Sequence, residues 1–519
     1  MKPKRIIFAA CSVPAFVDMA VNLRRDLGWE PCYWIGRPRV LPRLDAEFPA
    51  AVFHDHGDAI WARPPDACAG LDLLPLDEGL LEQLALCESI VLRMMDRIDY
   101  ATVLNHADRR KLYYAHLRYW SAVIDHYRPD VLFNASTPHQ IYDFVLQELC
   151  RLRGVRLVMF GLGFDLNLLF CKDDYREGSG RIGALCAARL AAGEACSVKL
   201  SADIEARLAR IGRSYDEAIP ALVANQLKDD DHQSAIFNLK RVTKAVLQTL
   251  RLGFRMVAGA LSADPAGWKR TEAAKRYWVE WIYRELTGPL RLFKLKRYYR
   301  QLARPVDLSQ PYIYLPLAYQ PELSSSPEGG VFVEQLLMAD LLSRAAPPGW
   351  LIFIKEHPIQ FTYSLGTNRL VRSHEFYDGL KSLPNVRLVP LETVPFALID
   401  NARAVATVTG TSGWEAMIRG KPVMHFGYPW WQGCPGSFHT PDLQSCRGAL
   451  SLIVGGFVPD PAGLREFALV SQEEGCSGDV YWDRSIQMLS AAENPRVAEI
   501  AAQMAALIVR DAAREERTS

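Results

Sequence analysis

The sequence predicts an α/β protein of two doubly wound lobes with a helical insertion between them and a helical C-terminus. Three observations lead there. Short apolar strands alternate with amphipathic helices in the first ~175 residues, and the alternation resumes after Pro311. Between them, from about Ala202 to Arg304, the pattern is helical only. The length of 519 residues suits two or three domains, each large enough for its own core.

In the first lobe, Arg5–Ala10 reads as a buried strand, Val17–Leu27 as a helix and Pro31–Ile35 as a second strand. Glu78–Tyr127 is largely helical, a cap for one edge of the sheet. Asp130–Asn134, Gln140–Leu152 and Val155–Phe160 then give strand, helix and strand. In the second lobe, strands are expected at Tyr312–Leu317, Trp350–Lys355, Val386–Pro390, Ala404–Thr409 and Pro422–Phe426. Helices are expected at Val331–Ala345, Phe376–Lys381, Phe396–Asn401 and Ser412–Arg419, and from about Ala491 onward. The boundaries that follow are 1–200 for the first lobe, 201–305 for the helical segment, 306–460 for the second lobe and 461–519 for the extension.

Composition excludes several classes. Hydrophobic content of 49% without low-complexity tracts argues against disorder and fibres. No window approaches ~18 uninterrupted apolar residues, so no transmembrane helix is expected. The basic, apolar start is broken by Pro14 and Asp18 and reads as a first strand, not a signal peptide. Eleven scattered cysteines fit a reduced, cytoplasmic chain with its thiols in the core. A net charge of +1 argues against nucleic acid as a partner. That total hides an uneven distribution: Lys240–Arg304 holds sixteen Lys/Arg against four acids, a local +12 against −11 elsewhere. Aromatic residues, among them Trp268, Trp278, Trp281 and Phe293, interleave with those cations. A solvated helical face would look like this, and so would a surface that meets an anionic membrane peripherally.

Chemistry concentrates where open α/β sheets place their ligands, just beyond the strands' carboxyl ends. Gln320-Pro321-Glu322 and a Ser-rich run to Gly330 follow one strand, and a carboxylate there suits a general base or nucleophile. Lys355-Glu356-His357-Pro358 offers a cation and an imidazole to a phosphate without a metal. The run Thr409-Gly410-Thr411-Ser412-Gly413-Trp414-Glu415 leads into a helix whose first N–H groups and dipole favour phosphate oxygens, with Glu415 placed for a ribose diol. A plain helix cap has the same composition. In the first lobe, Asn134–His139 and Gly161-Leu162-Gly163-Phe164-Asp165 follow strands. His54-Asp55-His56 lacks further spaced ligands and reads as a surface loop, not a metal site. Walker A, G-x-S-x-G and HExxH motifs are absent.

Taken in order, these second-lobe blocks resemble the bacterial capsule polysaccharide biosynthesis family, which includes retaining β-Kdo transferases. Gln320-Pro321-Glu322 is similar to its Gln-x-Glu/Asp loop and Lys355–Pro358 to its Lys-x-His-Pro motif. Thr409–Val423 followed by Phe426–Trp431 resembles its Thr-Gly-aromatic-Glu-Ala block with the downstream Gly-x-Pro-aromatic. The resemblance covers about Tyr312–Gly433. It implies a GT-B fold and a glycosyltransferase of capsule or lipopolysaccharide assembly. Such an enzyme passes Kdo or a related ulosonic acid from a CMP-activated donor to a saccharide or lipid-linked acceptor, with no cofactor and no metal. By the same resemblance Lys355, His357 and Pro358 hold donor phosphate with Gln320, Thr409, Gly410, Thr411 and Ser412, and Glu415 holds ribose. Glu322 and His139 are the candidate catalytic groups. The first loop departs from the family in having Leu323 and three serines after Glu322, where adjacent carboxylates are usual. Two other functions remain open, a CDP-polyol phosphotransferase of the teichoic-acid type and a non-catalytic nucleotide-binding export scaffold.

Overall fold

The computed structural model describes residues 3–99, 104–193, 199–215, 288, 290–361, 371–483 and 485–518. Each of its two sheets has a doubly wound core. The first has seven strands in the order β13-β6-β5-β4-β1-β2-β3. These are β1 (Lys4–Ala9), β2 (Trp29–Gly36), β3 (Val52–Asp55), β4 (Val131–Asn134), β5 (Arg156–Gly163), β6 (Leu168–Lys172) and β13 (Cys476–Ser477). Strands β3 to β5 run parallel, with Ile6 of β1 beside Val131 of β4 and Ala9 beside Asn134. Two further strands extend the sheet, β6 antiparallel to β5 and the edge strand β13 antiparallel to β6. The second sheet, β12-β11-β10-β7-β8-β9, is parallel throughout. Its strands are β7 (Tyr312–Pro316), β8 (Leu351–Lys355), β9 (Val386–Leu388), β10 (Ala404–Thr407), β11 (Val423–His425) and β12 (Ser437–His439).

Both sheets therefore carry a 3-2-1-4-5 order, whose switch points lie between β1 and β4 and between β7 and β10. The two-lobed α/β class expected from the sequence is the class observed. Parallel strands covered on both faces explain the near-continuous apolar runs, with Ile6, Ile7, Phe8 and Ala9 all buried. The first helix, Pro14–Leu27, begins on a proline in its first turn and ends at Gly28, whose φ of 65° is the left-handed stop that closes many helices.

Several expectations need correcting. His54-Asp55-His56 is not a surface loop. His54 lies on β3 with 0% exposure, its Nδ1 2.8 Å from the Tyr33 hydroxyl and its Nε2 2.9 Å from the Arg63 carbonyl. A buried imidazole is tolerated because both ring nitrogens have partners. The single helix expected at Val331–Ala345 is a 3₁₀ turn, Gly330–Val333, followed by an α-helix, Gln335–Ala345. Strands β3, β6, β12 and β13 and the helices Leu443–Val454 and Pro461–Glu474 are additional to the elements expected from the sequence.

The last helix, Pro495–Thr518, returns to the first lobe, where Val497, Ile500, Met504 and Ile508 share a core with Phe16, Met19 and Leu23. The helix Ala202–Arg213 packs instead on the second lobe, placing Ile204 and Ile211 with Trp414 and Met417. Most of the basic segment Lys240–Arg304 lies outside the described residues. Its end, helical over 290–302, buries Leu295 and Tyr299 in the second lobe's core. Among the described residues the cysteines are free thiols, and no helix is long and apolar enough to cross a membrane.

Candidate active site

The loops at the carboxyl ends of β7, β8 and β10 are bound to one another by a buried polar scaffold. Glu356, between the two phosphate candidates of the Lys-x-His-Pro loop, points inward. Its carboxylate accepts hydrogen bonds from Arg372 Nε (2.8 Å), the Tyr377 hydroxyl (2.8 Å) and the His357 N–H (2.8 Å). Arg372 and Glu356 side chains are 2% and 0% exposed. The same guanidinium donates to the Ala318 carbonyl at 3.0 Å and to Gln320 Oε1, so one arginine ties the β8 loop to the β7 loop.

Gln320 is thereby placed away from the role expected for it. It is 2% exposed, its Nε2 donates to the Val333 carbonyl at 2.6 Å, and its backbone exchanges bonds with the Gln360 amide at 3.1 and 3.3 Å. It positions the loop.

On this scaffold Lys355 ends β8 and His357 stands in the loop just beyond it. Burial lowers the Lys355 ammonium from its usual value to about 8, against a smaller opposing pull from Glu392. Burial likewise lowers His357 to about 4, so its ring is neutral at pH 7. The Ile359 N–H donates to His357 Nδ1 at 3.3 Å, which leaves the proton on Nε2. His357 is therefore a neutral N–H donor beside an ammonium. Pro358 begins the 3₁₀ turn Pro358–Phe361 that carries the chain off the sheet.

The β10 loop enters the helix Thr411–Ile418, whose N-cap is Gly410 and which has no side-chain cap. The Gly410 N–H is bound by Thr407 Oγ1 (3.1 Å), and Thr409 Oγ1 donates to the Ser324 carbonyl (2.6 Å). The Thr409 hydroxyl thus joins this loop to the one after β7. Thr411 and Ser412 open the helix, half-buried. Gly413 has no room for a side chain, since a Cβ would stand 2.4 Å from the Trp431 ring. Glu415 is pushed up to about 8, first by burial and then by Asp165 of the first lobe. Asp165 is itself raised to about 7 by burial, and its Oδ2 has no hydrogen-bond partner. The residue expected to hold a ribose diol thus faces the carboxyl of Asp165, which closes the Gly161–Asp165 run read from the sequence as following a first-lobe strand.

From the first lobe, the loop after β4 brings His139. Its Nδ1 is 2.7 Å from the Thr137 carbonyl, so that nitrogen carries the proton and Nε2 is left as an acceptor. Burial, then Arg97, lowers His139 to about 3. Asp143 accepts from the N–H groups of His139 (3.0 Å) and Gln140 (2.7 Å). Ile141 next to them has φ 76°, a backbone conformation that a β-branched residue adopts only under constraint.

The lobes meet through specific bonds. Arg97 donates to the His139 carbonyl at 2.6 Å and to the Ser326 carbonyl of the other lobe. Thr137 Oγ1 donates to Glu328 Oε1 at 2.9 Å, and Lys172 Nζ lies 3.9 Å from the same oxygen. Of the loop's two carboxylates, Glu328 is the one at the seam. Glu322 is exposed and accepts from the Ser324 hydroxyl at 3.3 Å. Sequence reading missed Arg97, Lys172, Arg372 and the placement of Glu328, none of which lies in a recognisable motif. Among the described residues no three His, Cys, Asp or Glu side chains are grouped as a metal ion would require.

Comparisons with known proteins bear on the same region. Residues 210–436 match the model of the family described as "Capsule polysaccharide biosynthesis protein". A curated relative, Protein FixF of Sinorhizobium fredii (strain NBRC 101917 / NGR234), is 24% identical over 245 residues, 45% of this chain and 57% of the relative. The chain thus matches little more than half the length of that relative. Among solved structures, Thermosulfurimonas dismutans KpsC, a beta Kdo 2,7 transferase, is similar at 13% identity, with 68% of this chain and 89% of that one covered and a TM-score of 0.26. The UDP-GlcNAc 2-epimerase of Methanocaldococcus jannaschii is similar at 10% identity, with coverage of 90% and 98% and a TM-score of 0.24. The family model spans the loops after β7, β8 and β10 whose geometry is described above. Over residues 210–436 the chain is thus similar to the capsule polysaccharide biosynthesis family.

Proposed function

We propose that this protein is a glycosyltransferase of surface-polysaccharide assembly that takes a sugar from a nucleotide-activated donor bound in the second lobe. The observation that carries the reading is the convergence of the Lys355–Pro358 and Thr409–Glu415 loops beside the β7/β10 switch point, opposite the His139 loop of the first lobe. Lys355 and the Nε2–H of His357 hold phosphate, and the open helix N-terminus at Thr411 and Ser412 adds N–H donors. Glu415 binds the ribose. A departing nucleotide is then stabilised by fixed donors in a site from which closed lobes exclude water. His139 Nε2 accepts the hydrogen bond of the acceptor hydroxyl, and Glu322 is the second candidate group for the reaction.

The donor proposed is a CMP-linked ulosonic acid such as Kdo, passed to a saccharide or lipid-linked acceptor without a metal or cofactor. Calorimetric titration with CMP, CDP, UDP and GDP tests the donor class. Product mass after incubation with CMP-Kdo or CDP-glycerol and a lipid acceptor separates sugar transfer from polyol-phosphate transfer. Preference for a nucleotide other than CMP would overturn the donor assignment.

Lys355 sets a pH dependence. Its ammonium is charged below about 8 and neutral above, while the second ionisation of a phosphate monoester is complete a little above ~6. CMP affinity is expected to be greatest between those limits and to fall as pH rises through 8. Folding stability moves the other way. Between about 8 and the usual lysine value of 10.5 the unfolded chain binds more protons, so this residue's contribution to stability rises with pH there. A CMP titration series from pH 6 to 9.5 that stays flat would remove Lys355 from the phosphate site.

A lipid-linked acceptor suits peripheral attachment through the Lys240–Arg304 segment at the cytoplasmic face of the inner membrane. In its described part, Leu290 and Phe293 are 55% and 62% exposed beside Arg291, Lys294 and Arg297. The chain is expected to co-sediment with phosphatidylglycerol vesicles and to be released by ~0.5 M salt, where screening is strong. Equal sedimentation with neutral phosphatidylcholine vesicles would exclude the electrostatic attachment.

A further inference from the structure

Lys172 ends β6 in the first lobe, and its side chain is 2% exposed. A buried ammonium is costly unless an anion faces it. Asp174 and Glu177 of its own lobe favour its charge, but Asp174 is engaged by Arg176 and Arg151. The carboxylate facing Lys172 most directly, Glu328 at 3.9 Å, belongs to the other lobe. Thr137, 2% exposed, donates to the same oxygen at 2.9 Å. The carboxylate is presented by a fixed backbone. The Tyr428 N–H donates to the Glu328 carbonyl at 2.8 Å, and a Cβ on Gly427 would stand 2.4 Å from that carbonyl oxygen. The first lobe thus offers one ammonium and one hydroxyl, both buried, to a single carboxylate oxygen across the cleft.

We infer that Thr137 and Lys172 form a subsite for a carboxylate borne by the substrate, that of an acidic sugar, and that Glu328 occupies it while the lobes are closed on no ligand. The inference rests on the nucleotide-sugar reading for what carries that carboxylate. Thr137 stands two residues from His139, whose ring is bonded to the Thr137 carbonyl, so the subsite adjoins the proposed acceptor side of the cleft. A substrate carboxylate entering it displaces Glu328 and exchanges one ion pair for another. A neutral sugar leaves Lys172 to Glu328 and gains nothing.

The test is calorimetric titration of the full chain with free Kdo, with mannose as the neutral sugar and with inorganic phosphate. Glu328→Gln removes the competing charge but keeps an acceptor for Thr137. It is expected to bind Kdo about tenfold more tightly than wild type, about 1.4 kcal/mol. Adding Lys172→Met or Thr137→Val to Glu328→Gln is expected to reverse that gain, with mannose silent throughout. Thr137→Val keeps the buried ammonium and serves if Lys172→Met does not fold. An unchanged Kdo affinity in Glu328→Gln, or a gain that survives both second substitutions, overturns the subsite. A phosphate gain equal to that of Kdo overturns its assignment to a carboxylate. CMP titrations on the same proteins keep the two readings apart. CMP binding retained without any Kdo effect defeats this inference alone, and absence of CMP binding to wild type defeats the donor site.

Discussion

Glu356→Ala is expected to lower the unfolding free energy by about 3–5 kcal/mol, because it strands a buried guanidinium. Arg372 would lose its charged partner in a place where its side chain is only 2% exposed, and Tyr377 would lose its acceptor. A loss of that size is a large part of the ~5–15 kcal/mol that holds a typical protein folded. Urea unfolding of wild type and variant under the same conditions measures it, and a difference below ~1 kcal/mol would show that the pair is not buried as described. A second comparison separates the pair's stability from its effect on the site. Replacing both members, Glu356→Leu with Arg372→Met, removes both buried charges and is expected to recover most of the stability. It does not restore the bonds from Arg372 to Ala318 and Gln320 that join the loop after β7 to the loop after β8. The double variant is therefore expected to fold and still to bind CMP more weakly than wild type.

This scaffold also shows where reading the sequence stopped. The Lys-x-His-Pro and Thr-Gly…Glu blocks were visible because their residues are neighbours in the chain and follow recognisable strands. Glu356 lies inside the first block, yet nothing local says that it, unlike Lys355 and His357, binds Arg372 and Tyr377. Its partners, Arg372 and Tyr377, are set by how the following segment packs. Glu322 and Glu328 occupy one loop, and only the first resembles a family position. What distinguishes them is Thr137, 191 residues from Glu328 in the chain, and Lys172 at the end of the antiparallel strand β6. The edge strand β13 is two residues long and pairs with β6 from far along the chain, while β6 is the short hairpin partner of β5, so neither leaves much periodicity to detect. The amphipathic pattern of the last helix announced a helix but not its partner in the first lobe. The doubly wound cores were legible for the opposite reason. Each parallel strand is an apolar run followed by its own crossover helix, and that signal is local.

His357→Ala is expected to weaken CMP binding by about ten- to a hundredfold, the equivalent of one hydrogen bond to a charged group at about 1.5–3 kcal/mol. The argument depends on the protonation state. Burial places His357 at about 4, so between pH 5 and 7 the ring is neutral and binds phosphate as an N–H donor, not as a cation. The backbone N–H of Ile359 on Nδ1 fixes the tautomer that turns that donor toward the ligand. Two consequences distinguish this role from simple charge attraction. The affinity ratio of wild type to His357→Ala should be nearly constant from pH 5 to 7, whereas an imidazolium contact would fade as pH rose through ~6.5. His357→Gln, which keeps a donor N–H on a side chain of similar reach, should recover part of the loss, and Lys355→Met should not be rescued by it. Unchanged CMP affinity in His357→Ala would mean that the phosphate does not lie at the carboxyl end of β8. The donor site would then have to be sought at Asp165 and Glu415, where a first-lobe carboxyl faces the helix Thr411–Ile418.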